Sequence, residues 1–249
     1  MLKNKVIKNL QTTGFSMLNE IPFSKSTREK ALAYTNTKVN QSNKNQNSII
    51  INDNDIYLPE QASYSSVRNL SKLFGQKLPE KTVIYRRHDN EERGLFVDLI
   101  NPDLAIKELR DELYESSIFK LLEKTSGILS SDVEFHIYYT KSCIKPRSWH
   151  IDGPSLKIFT YLTDVTKDHG PYAYQLKSQR HYDRAFTLKI APNLNQLKAK
   201  VSQKHFNADH VISLEGGEGT SFISNQAGIH RGLDQNKNLE RIVLVTQFL

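Results

Sequence analysis

The chain has 249 residues, of which 38% are hydrophobic and 24% charged, and a formal net charge of +7. This length can bury a substantial core, and the composition is typical of a globular protein rather than a fibrous or membrane-spanning one. Since no run of about 18 apolar residues and no signal-peptide core occurs, we expect a cytoplasmic protein without membrane insertion. We also expect a single domain that covers residues 1–249.

The basic residues are spread along the whole chain. No basic helix, aromatic-interleaved motif or zinc-ligand spacing accompanies them, so specific nucleic-acid binding is not expected. A weak affinity for small anions is expected instead. The single cysteine, Cys143, cannot form an internal disulfide, which agrees with a reducing compartment. We interpret it as a small, partly buried side chain rather than as a reactive thiol.

The first half of the chain combines predicted helices with short extended segments. Apolar spacing predicts a helix from about residue 5, and Gly14 then introduces a short strand. Residues 36–48 are mainly Asn, Gln, Ser and Lys, which predicts a mobile loop. A long helix is predicted from Asn101, as its N-cap, to Gly127. Further predicted elements are helices 24–34 and 65–74 and strands 49–51, 82–85 and 94–97.

From about residue 133 the apolar residues alternate, which is typical of strands. Short strands that follow helices predict an α+β protein with a mainly β core. The predicted core is a double-stranded β-helix, a jelly roll of the cupin type, over residues 131–249. A helix-rich part, residues 1–130, is expected to buttress it. The predicted strands are 135–139, 156–162, 171–176, 211–214, 220–223 and 241–248, and one helix is predicted at 193–201.

A candidate metal site begins with His150 and Asp152, one residue apart, and is completed by His230 near the C-terminus. Two imidazoles and one carboxylate suit Fe(II), and as a facial set they leave the opposite face of an octahedral ion open. A His-x-Asp pair also arises by chance. A strand-end histidine followed by a turn aspartate is the alternative for the pair, and a charged turn is the alternative for His230.

Several motifs around this triad occur in one order: Trp149-His150-Ile151-Asp152, residues 159–164, Gly170-Pro171-Tyr172, residues 216–220, residues 228–232, and Arg241. This order and spacing resemble the phytanoyl-CoA dioxygenase family of iron(II)- and 2-oxoglutarate-dependent oxygenases over residues 133–249. Many members of that family carry Pro-Gly-Ser-His where this chain has residues 177–181, Lys-Ser-Gln-Arg-His. The phytanoyl-CoA substrate is therefore not carried over.

The resemblance implies that His150, Asp152 and His230 ligate Fe(II) and form the catalytic centre. It implies 2-oxoglutarate and O2 as cosubstrates, with Arg241 binding the C5 carboxylate through two parallel hydrogen bonds. An ion pair with Glu240 is the alternative for Arg241. The implied reaction hydroxylates a small polar or anionic metabolite or biosynthetic intermediate, while 2-oxoglutarate is decarboxylated to succinate and CO2.

Further residues flank the predicted triad. Lys157 and Tyr161 share one face of a predicted strand and are candidates to assist 2-oxoglutarate binding. A solvated lysine and a tyrosine at the edge of the core are the alternatives. Tyr138, Arg147 and Gln226 are candidates to bind the organic substrate. Their polarity and the basic charge of the chain favour an anionic or hydroxylated small molecule.

Two other functional classes stay open at this point. A jelly-roll module could bind a metal or a sugar without catalysis, although such a module has no use for a cosubstrate arginine at position 241. A basic protein could contact nucleic acid through its charge, with an affinity that falls steeply with salt. His136, on the alternating strand before the triad, is interpreted as a hydrogen-bonded structural histidine. No feature predicts an oligomeric state.

Overall fold

The computed structural model describes residues 2–42, 49–58, 81–153, 155–181 and 204–248. The predicted helices 65–74 and 193–201 lie outside these ranges, as do residues 43–48 of the predicted loop. The helices are α1 (Leu2–Thr13), α2 (Lys25–Ser42), α3 (Glu108–Glu115) and α4 (Ser117–Ser126). No helix in the described ranges is long and apolar enough to cross a membrane.

Strands make up most of the described chain. The first half contains β1 (Phe15–Met17), β2 (Ile50–Ile51), β3 (Asp55–Leu58), β4 (Thr82–Asn90) and β5 (Gly94–Ile100). The second half contains β6 (Val133–Lys141), β7 (Leu156–Tyr161), β8 (Tyr172–Gln175), β9 (Val211–Leu214), β10 (Ser221–Asn225), β11 (His230–Gly232) and β12 (Glu240–Phe248).

These strands form two facing sheets. The large sheet has nine strands in the order β1-β10-β7-β12-β6-β5-β4-β3-β2, and the small sheet has three in the order β11-β8-β9. Only the β3–β4 pair is parallel among the strand pairs of the described ranges. The predicted mainly β, jelly-roll fold is confirmed.

The alternation in β6 shows how the sequence positions the two faces of the large sheet. Phe135, Ile137 and Tyr139 are buried in the core that also contains the apolar residues of α3 and α4. Tyr138 packs instead against the aromatic cluster between the two sheets, and the neighbouring polar residue of the same face is His136. Because successive side chains of a strand point to opposite faces, one strand serves both the scaffold and the interior of the jelly roll.

The long helix predicted over residues 101–127 is wrong as a single element. It is divided into a short 3-10 turn, α3 and α4, and α3 ends at Ser116, whose backbone is extended with φ −63° and ψ 149°. The Ser116 hydroxyl accepts a hydrogen bond from the backbone N–H of Phe119 and so caps α4. Asn101 adopts φ 58° and makes no side-chain cap. Gly127 ends α4 with φ 66°, in line with its predicted place.

The N-terminal part departs from the prediction in two ways. The predicted loop is wrong for residues 36–42, because α2 continues to Ser42. Val39 and Ser42 are buried, at 4% and 6% exposure, so tertiary packing holds a segment whose polar composition favours disorder. In addition, β4 and β5 extend the large sheet beyond β6, so this part contributes to the β core as well as buttressing it.

A buried charged cluster lies on β4, β5 and β6. The fully buried Asp98 accepts hydrogen bonds from Arg87 and from His136 Nδ1, the latter over 3.0 Å. Burial would raise the pKa of Asp98, but the charges of Arg87 and His136 lower it by more. Burial would likewise lower the pKa of His136, yet Asp98 and Glu134 raise it above its usual value. His136 therefore has a hydrogen-bonded structural environment, as its sequence position indicated.

Removal of the Asp98 carboxylate should destabilise the fold strongly. Asp98→Ala leaves the buried His136 and the partly buried guanidinium of Arg87 without this partner, and we expect a loss of about 3–5 kcal/mol in the free energy of unfolding. The matched control is Asp53→Ala, because Asp53 is exposed, and its effect should stay within about 0.5 kcal/mol. Urea unfolding followed by circular dichroism measures both, and equal effects would contradict this account of the cluster.

The pair formed by Asp98 and His136 predicts a pH dependence of the free energy of unfolding. Because the folded-state pKa of His136 is raised, its contribution is fully present below the unfolded pKa of about 6.5 and is lost as the pH rises through the folded value. Asp98→Ala should remove this part of the pH dependence. The measurement is the free energy of unfolding in urea from pH 5 to 9, and an unchanged slope in the variant would refute the assignment to this pair.

Candidate metal centre

The structure brings His150, Asp152 and His230 together. One potential ligand atom from each lies within 4.8 Å of the others. The Nε2 atom of His150 is 3.8 Å from Asp152 Oδ1, and the Nε2 atom of His230 is 3.6 Å from Asp152 Oδ2. A neighbouring pair, His150 and Asp152, and the distant His230 therefore converge on one point, which a single cation can occupy.

Backbone hydrogen bonds position the three ligands. His150 and His230 form an isolated antiparallel bridge, with N···O distances of 3.1 and 2.9 Å in the two directions. The backbone N–H of Asp152 donates to the carbonyl of Gln226 over 2.9 Å. The segment after β6 is thus tied to the start of β11 and to the turn that follows β10.

The tautomers of both histidines suit metal binding. Nδ1 of His150 lies 2.7 Å from the carbonyl oxygen of Ser148, and Nδ1 of His230 lies 2.9 Å from that of Gly228. A carbonyl oxygen can only accept, so each Nδ1 carries the proton and each neutral ring presents the Nε2 lone pair. Such a hydrogen bond behind a ligating imidazole fixes its orientation and raises its basicity.

The charge states agree with this interpretation. Burial, reinforced by His230, lowers the pKa of His150 to about 3, so the ring is neutral at neutral pH. Burial would raise the pKa of the Asp152 carboxyl, but His230, Lys157 and His150 lower it well below its usual range. A carboxylate beside the neutral imidazole of His150 is a protonation state that suits a divalent cation.

Two cations contact Asp152. The ammonium of Lys157, on β7, lies 3.2 Å from Oδ2, and the guanidinium of Arg147 lies 3.4 Å from Oδ1. Lys157 is buried, whereas the side chain of Arg147 is 67% exposed. Only the lysine contact is therefore a built part of the site, because exposed ion pairs contribute little.

Arg241 lies on β12, opposite Thr140 of β6 in the large sheet. Its guanidinium lies against Gly232, on β11 of the small sheet. A Cβ at Gly232 would be 3.2 Å from Nη2 of Arg241. No carboxylate in the described ranges pairs with it, and its buried Nε has no hydrogen-bond partner there. The alternative partner Glu240 accepts a hydrogen bond from Tyr139 instead. Burial lowers the pKa of Arg241.

Other residues predicted from the sequence have different surroundings. Tyr161 is fully buried, and its hydroxyl donates to the carbonyl of Leu214 over 2.6 Å, which gives it a packing role between the sheets. Lys157 and Tyr161 do share a face, because they lie opposite Gln247 and Val243 of β12. Cys143 is buried, and burial raises the pKa of its thiol, which does not favour a reactive thiolate.

The three candidate substrate residues are distributed around the centre. Tyr138 lies on the interior face of β6, with its ring 5.6 Å from that of Phe96. The buried side chain of Gln226 donates to Ser224 Oγ over 2.8 Å. Gln226 is thus engaged in the interior and holds Asp152 through its backbone, while Arg147 lies at the exposed side of the triad.

Sequence reasoning missed the residues that support the ligands. The ring of Tyr172 stacks on His230 at 5.6 Å and on Phe159 at 4.7 Å, and its hydroxyl lies 3.1 Å from Ser224 Oγ. The hydroxyl of Ser178 accepts from the backbone N–H of Ile229 over 2.7 Å, one residue before the ligand. Only Tyr172 carried a signal, as the residue after the Gly-Pro motif.

Gly228 should be needed for the position of His230. A Cβ at this residue would lie 1.9 Å from the Tyr174 hydroxyl oxygen, so Gly228→Ala must displace the segment or the ring. We expect a loss of about 1–3 kcal/mol in the free energy of unfolding. Gly127→Ala is the control, because its Cβ meets nothing within 4 Å and only the positive φ costs about 1 kcal/mol. Urea denaturation ranks the two, and a milder effect at Gly228 would contradict the packing argument.

Comparisons with known proteins give a likeness in structure only. No family model matches the chain, and no curated protein matches it in sequence. Membership of the phytanoyl-CoA dioxygenase family therefore stays an expectation.

Three solved structures are similar to the chain. The non-heme α-ketoglutarate-dependent epimerase SnoN from nogalamycin biosynthesis has a TM-score of 0.58 at 9% identity, over 100% of this chain and 80% of SnoN. AviO1 from Streptomyces viridochromogenes Tue57 gives 0.55 at 11%, over 99% and 94% of the two chains. EctD from S. alaskensis, solved with bound Fe, gives 0.54 at 12%, over 97% and 74%. At these identities the chain shares the fold of these proteins.

Proposed function

We propose that the protein is an Fe(II)- and 2-oxoglutarate-dependent oxygenase that hydroxylates a small polar or anionic metabolite or biosynthetic intermediate. The observation that carries this proposal is the combination of the triad with Arg241. A facial triad alone suits several divalent metals. A half-buried arginine, whose buried Nε has no hydrogen-bond partner in the described ranges, is held against the strand that bears His230 and adds a site for an anionic ligand beside the metal.

The donor set fits iron. His150 and His230 offer Nε2 atoms, Asp152 offers a carboxylate oxygen, and each imidazole is oriented by a carbonyl behind it. When bound, the iron supplies the activation of O2 that couples substrate oxidation to decarboxylation of 2-oxoglutarate into succinate and CO2. The protein contributes the orientation of the ligands and a site from which the aromatic interior excludes water.

In this proposal Arg241 binds the distal carboxylate of 2-oxoglutarate. Its planar guanidinium can donate two parallel hydrogen bonds, and its buried surroundings strengthen them because little water competes. Tyr161, whose hydroxyl is engaged with Leu214, contributes to the shape of the site rather than to this contact. Lys157 adds positive charge at the metal end.

The substrate class is proposed from cationic and aromatic side chains on the segments that carry the triad. Arg147 is exposed beside Asp152, and Arg231 lies over the Trp149 ring at 5.8 Å. Phe206 packs on the same indole at 4.8 Å and is itself 40% exposed. Cations next to aromatic faces favour a polar or anionic molecule.

The fold comparison supports the chemistry but not one outcome. The epimerase SnoN has also been solved in complex with Fe3+, α-ketoglutarate and nogalamycin RO. That structure is similar to this chain with a TM-score of 0.58 and 11% identity, over 100% of this chain and 83% of SnoN. Hydroxylation is proposed for this chain because the resemblance to the phytanoyl-CoA dioxygenase family implies it, and the carboxylate ligand Asp152 is compatible with hydroxylation or another oxidative outcome.

Anaerobic titration with Fe(II) and 2-oxoglutarate tests the cofactor assignment. The wild type should develop the weak visible metal-to-ligand charge-transfer band of a chelated 2-oxo acid, and His150→Ala should lose it because one ligand is removed. His210→Ala is the control, since His210 is exposed and outside the site, and it should keep the band. No band in the wild type, or an unchanged band in His150→Ala, would refute the proposed function.

Arg241 should set the affinity for 2-oxoglutarate and not that for the metal. Loss of charge-assisted hydrogen bonds worth about 1.5–3 kcal/mol predicts about 10- to 100-fold weaker 2-oxoglutarate binding in Arg241→Met. Arg241→Lys should recover only part of it, because lysine lacks the planar pair of donors. The exposed Arg180→Met is the control. Equal affinities in all four proteins, measured in the same anaerobic titration, would remove Arg241 from the site.

A further inference from the structure

Lys157 places a buried cation directly beside a metal ligand. It is 8% exposed, and its ammonium lies 3.2 Å from Asp152 Oδ2. Its strand, β7, runs between β10 and β12, where Ser224 and Gln247 are its register partners. A lysine next to a site for a divalent cation opposes binding of that cation, so the role of this charge requires an explanation.

The lysine engages one particular oxygen of the carboxylate. The buried Lys157 ammonium lies 3.2 Å from Oδ2 and the exposed Arg147 guanidinium lies 3.4 Å from Oδ1, so Oδ2 has the better-held cationic partner and we assign Oδ1 to the metal. A carboxylate that ligates through one oxygen leaves three positions of an octahedral ion open, whereas one that ligates through both leaves two. A chelating 2-oxo acid and O2 together need three.

The charge has opposite consequences for the two species that the site would bind. A positive charge near the metal weakens binding of the cation and strengthens binding of an anion to the metal-loaded site. A change that merely loosened the structure would weaken both. Loss of the Lys157 charge should change the cation affinity and the anion affinity in opposite directions. Structural loosening should lower both, so the two causes can be distinguished.

We propose that Lys157 is a positioning residue that holds Asp152 as a ligand through one oxygen. Its charge weakens binding of the metal cation and strengthens binding of 2-oxoglutarate to the metal-loaded site. This inference rests on the proposed function, since it concerns the same metal and cosubstrate. It assigns Lys157 to the carboxylate ligand, through which it acts, rather than to direct contact with the organic substrate.

Three variants separate charge from hydrogen bonding. Lys157→Gln keeps a donor and loses the charge, Lys157→Met loses both, and Lys157→Arg keeps both. The matched control is Lys38→Gln, because Lys38 is a partly buried lysine that also pairs with a carboxylate, Asp55, at side-chain exposures of 15% and 8%. Chelator-stripped protein is titrated with Co(II), whose visible spectrum reports coordination, and 2-oxoglutarate is then titrated into the Co(II)-loaded protein.

We expect Lys157→Gln to bind Co(II) about tenfold more tightly and 2-oxoglutarate about tenfold more weakly, each corresponding to about 1.4 kcal/mol. Its Co(II) spectrum should match that of the wild type, whereas Lys157→Met should change the spectrum because both carboxylate oxygens become available. Lys157→Arg and Lys38→Gln should resemble the wild type in affinities and spectrum.

The outcomes distinguish the inference from the function on which it rests. If the wild type binds Co(II) but Lys157→Gln leaves both affinities unchanged, or weakens both, the positioning role is overturned while the metal site stands. An unchanged spectrum in Lys157→Met overturns the one-oxygen assignment. A wild type that binds no Co(II) overturns the proposed function and the inference together.

Discussion

The candidate centre depends on the backbone bridge between His150 and His230. The two residues exchange both N–H···O bonds, so two ligands separated by 80 positions occupy directly paired places. Because the bridge uses main-chain groups, the imidazoles are free to turn Nδ1 to the carbonyls of Ser148 and Gly228. The same pairing places Asp152 next to the carbonyl of Gln226. Orientation of the site thus follows from strand pairing more than from side-chain packing.

The scaffold supplies a counter-charge for two buried charged groups of the jelly roll, Asp98 and Lys157. Asp98 is fully buried but has Arg87 and His136 as partners, and Lys157 has Asp152. Unpaired buried charge is costly, so such pairs persist only with good geometry. Around them the aromatic rings of the interior, Phe159 and Phe222 among them, supply the apolar wall. Polar groups are thereby confined to a few fixed places.

Strand alternation, a local pattern, predicted the mainly β core. The triad was predicted from the His-x-Asp pair together with the resemblance carried by the motifs around it, and the structure brings these three residues together. Elements that depend on distant contacts were missed. The continuation of α2 to Ser42 depends on burial of Val39. The break at Ser116 was missed for a different reason, because a local cap interrupts a helical pattern of apolar residues. The Tyr161 hydroxyl binds the carbonyl of Leu214 on another strand, and Lys157 on a strand contacts Asp152 in the preceding loop. Periodicity along the sequence cannot show either contact.

The charges along the site also favour one class of occupant over the sugar or structural metal of a non-catalytic module. Two cationic residues, Lys157 and Arg241, belong to the site. Lys157 pairs with the carboxylate ligand Asp152. Arg241 has no counter-charge in the described ranges. A divalent metal increases this excess of positive charge, and a neutral sugar leaves it unchanged. A dicarboxylate that reaches from the metal to Arg241 reduces it at both ends, because one carboxylate meets the metal and the other meets the guanidinium.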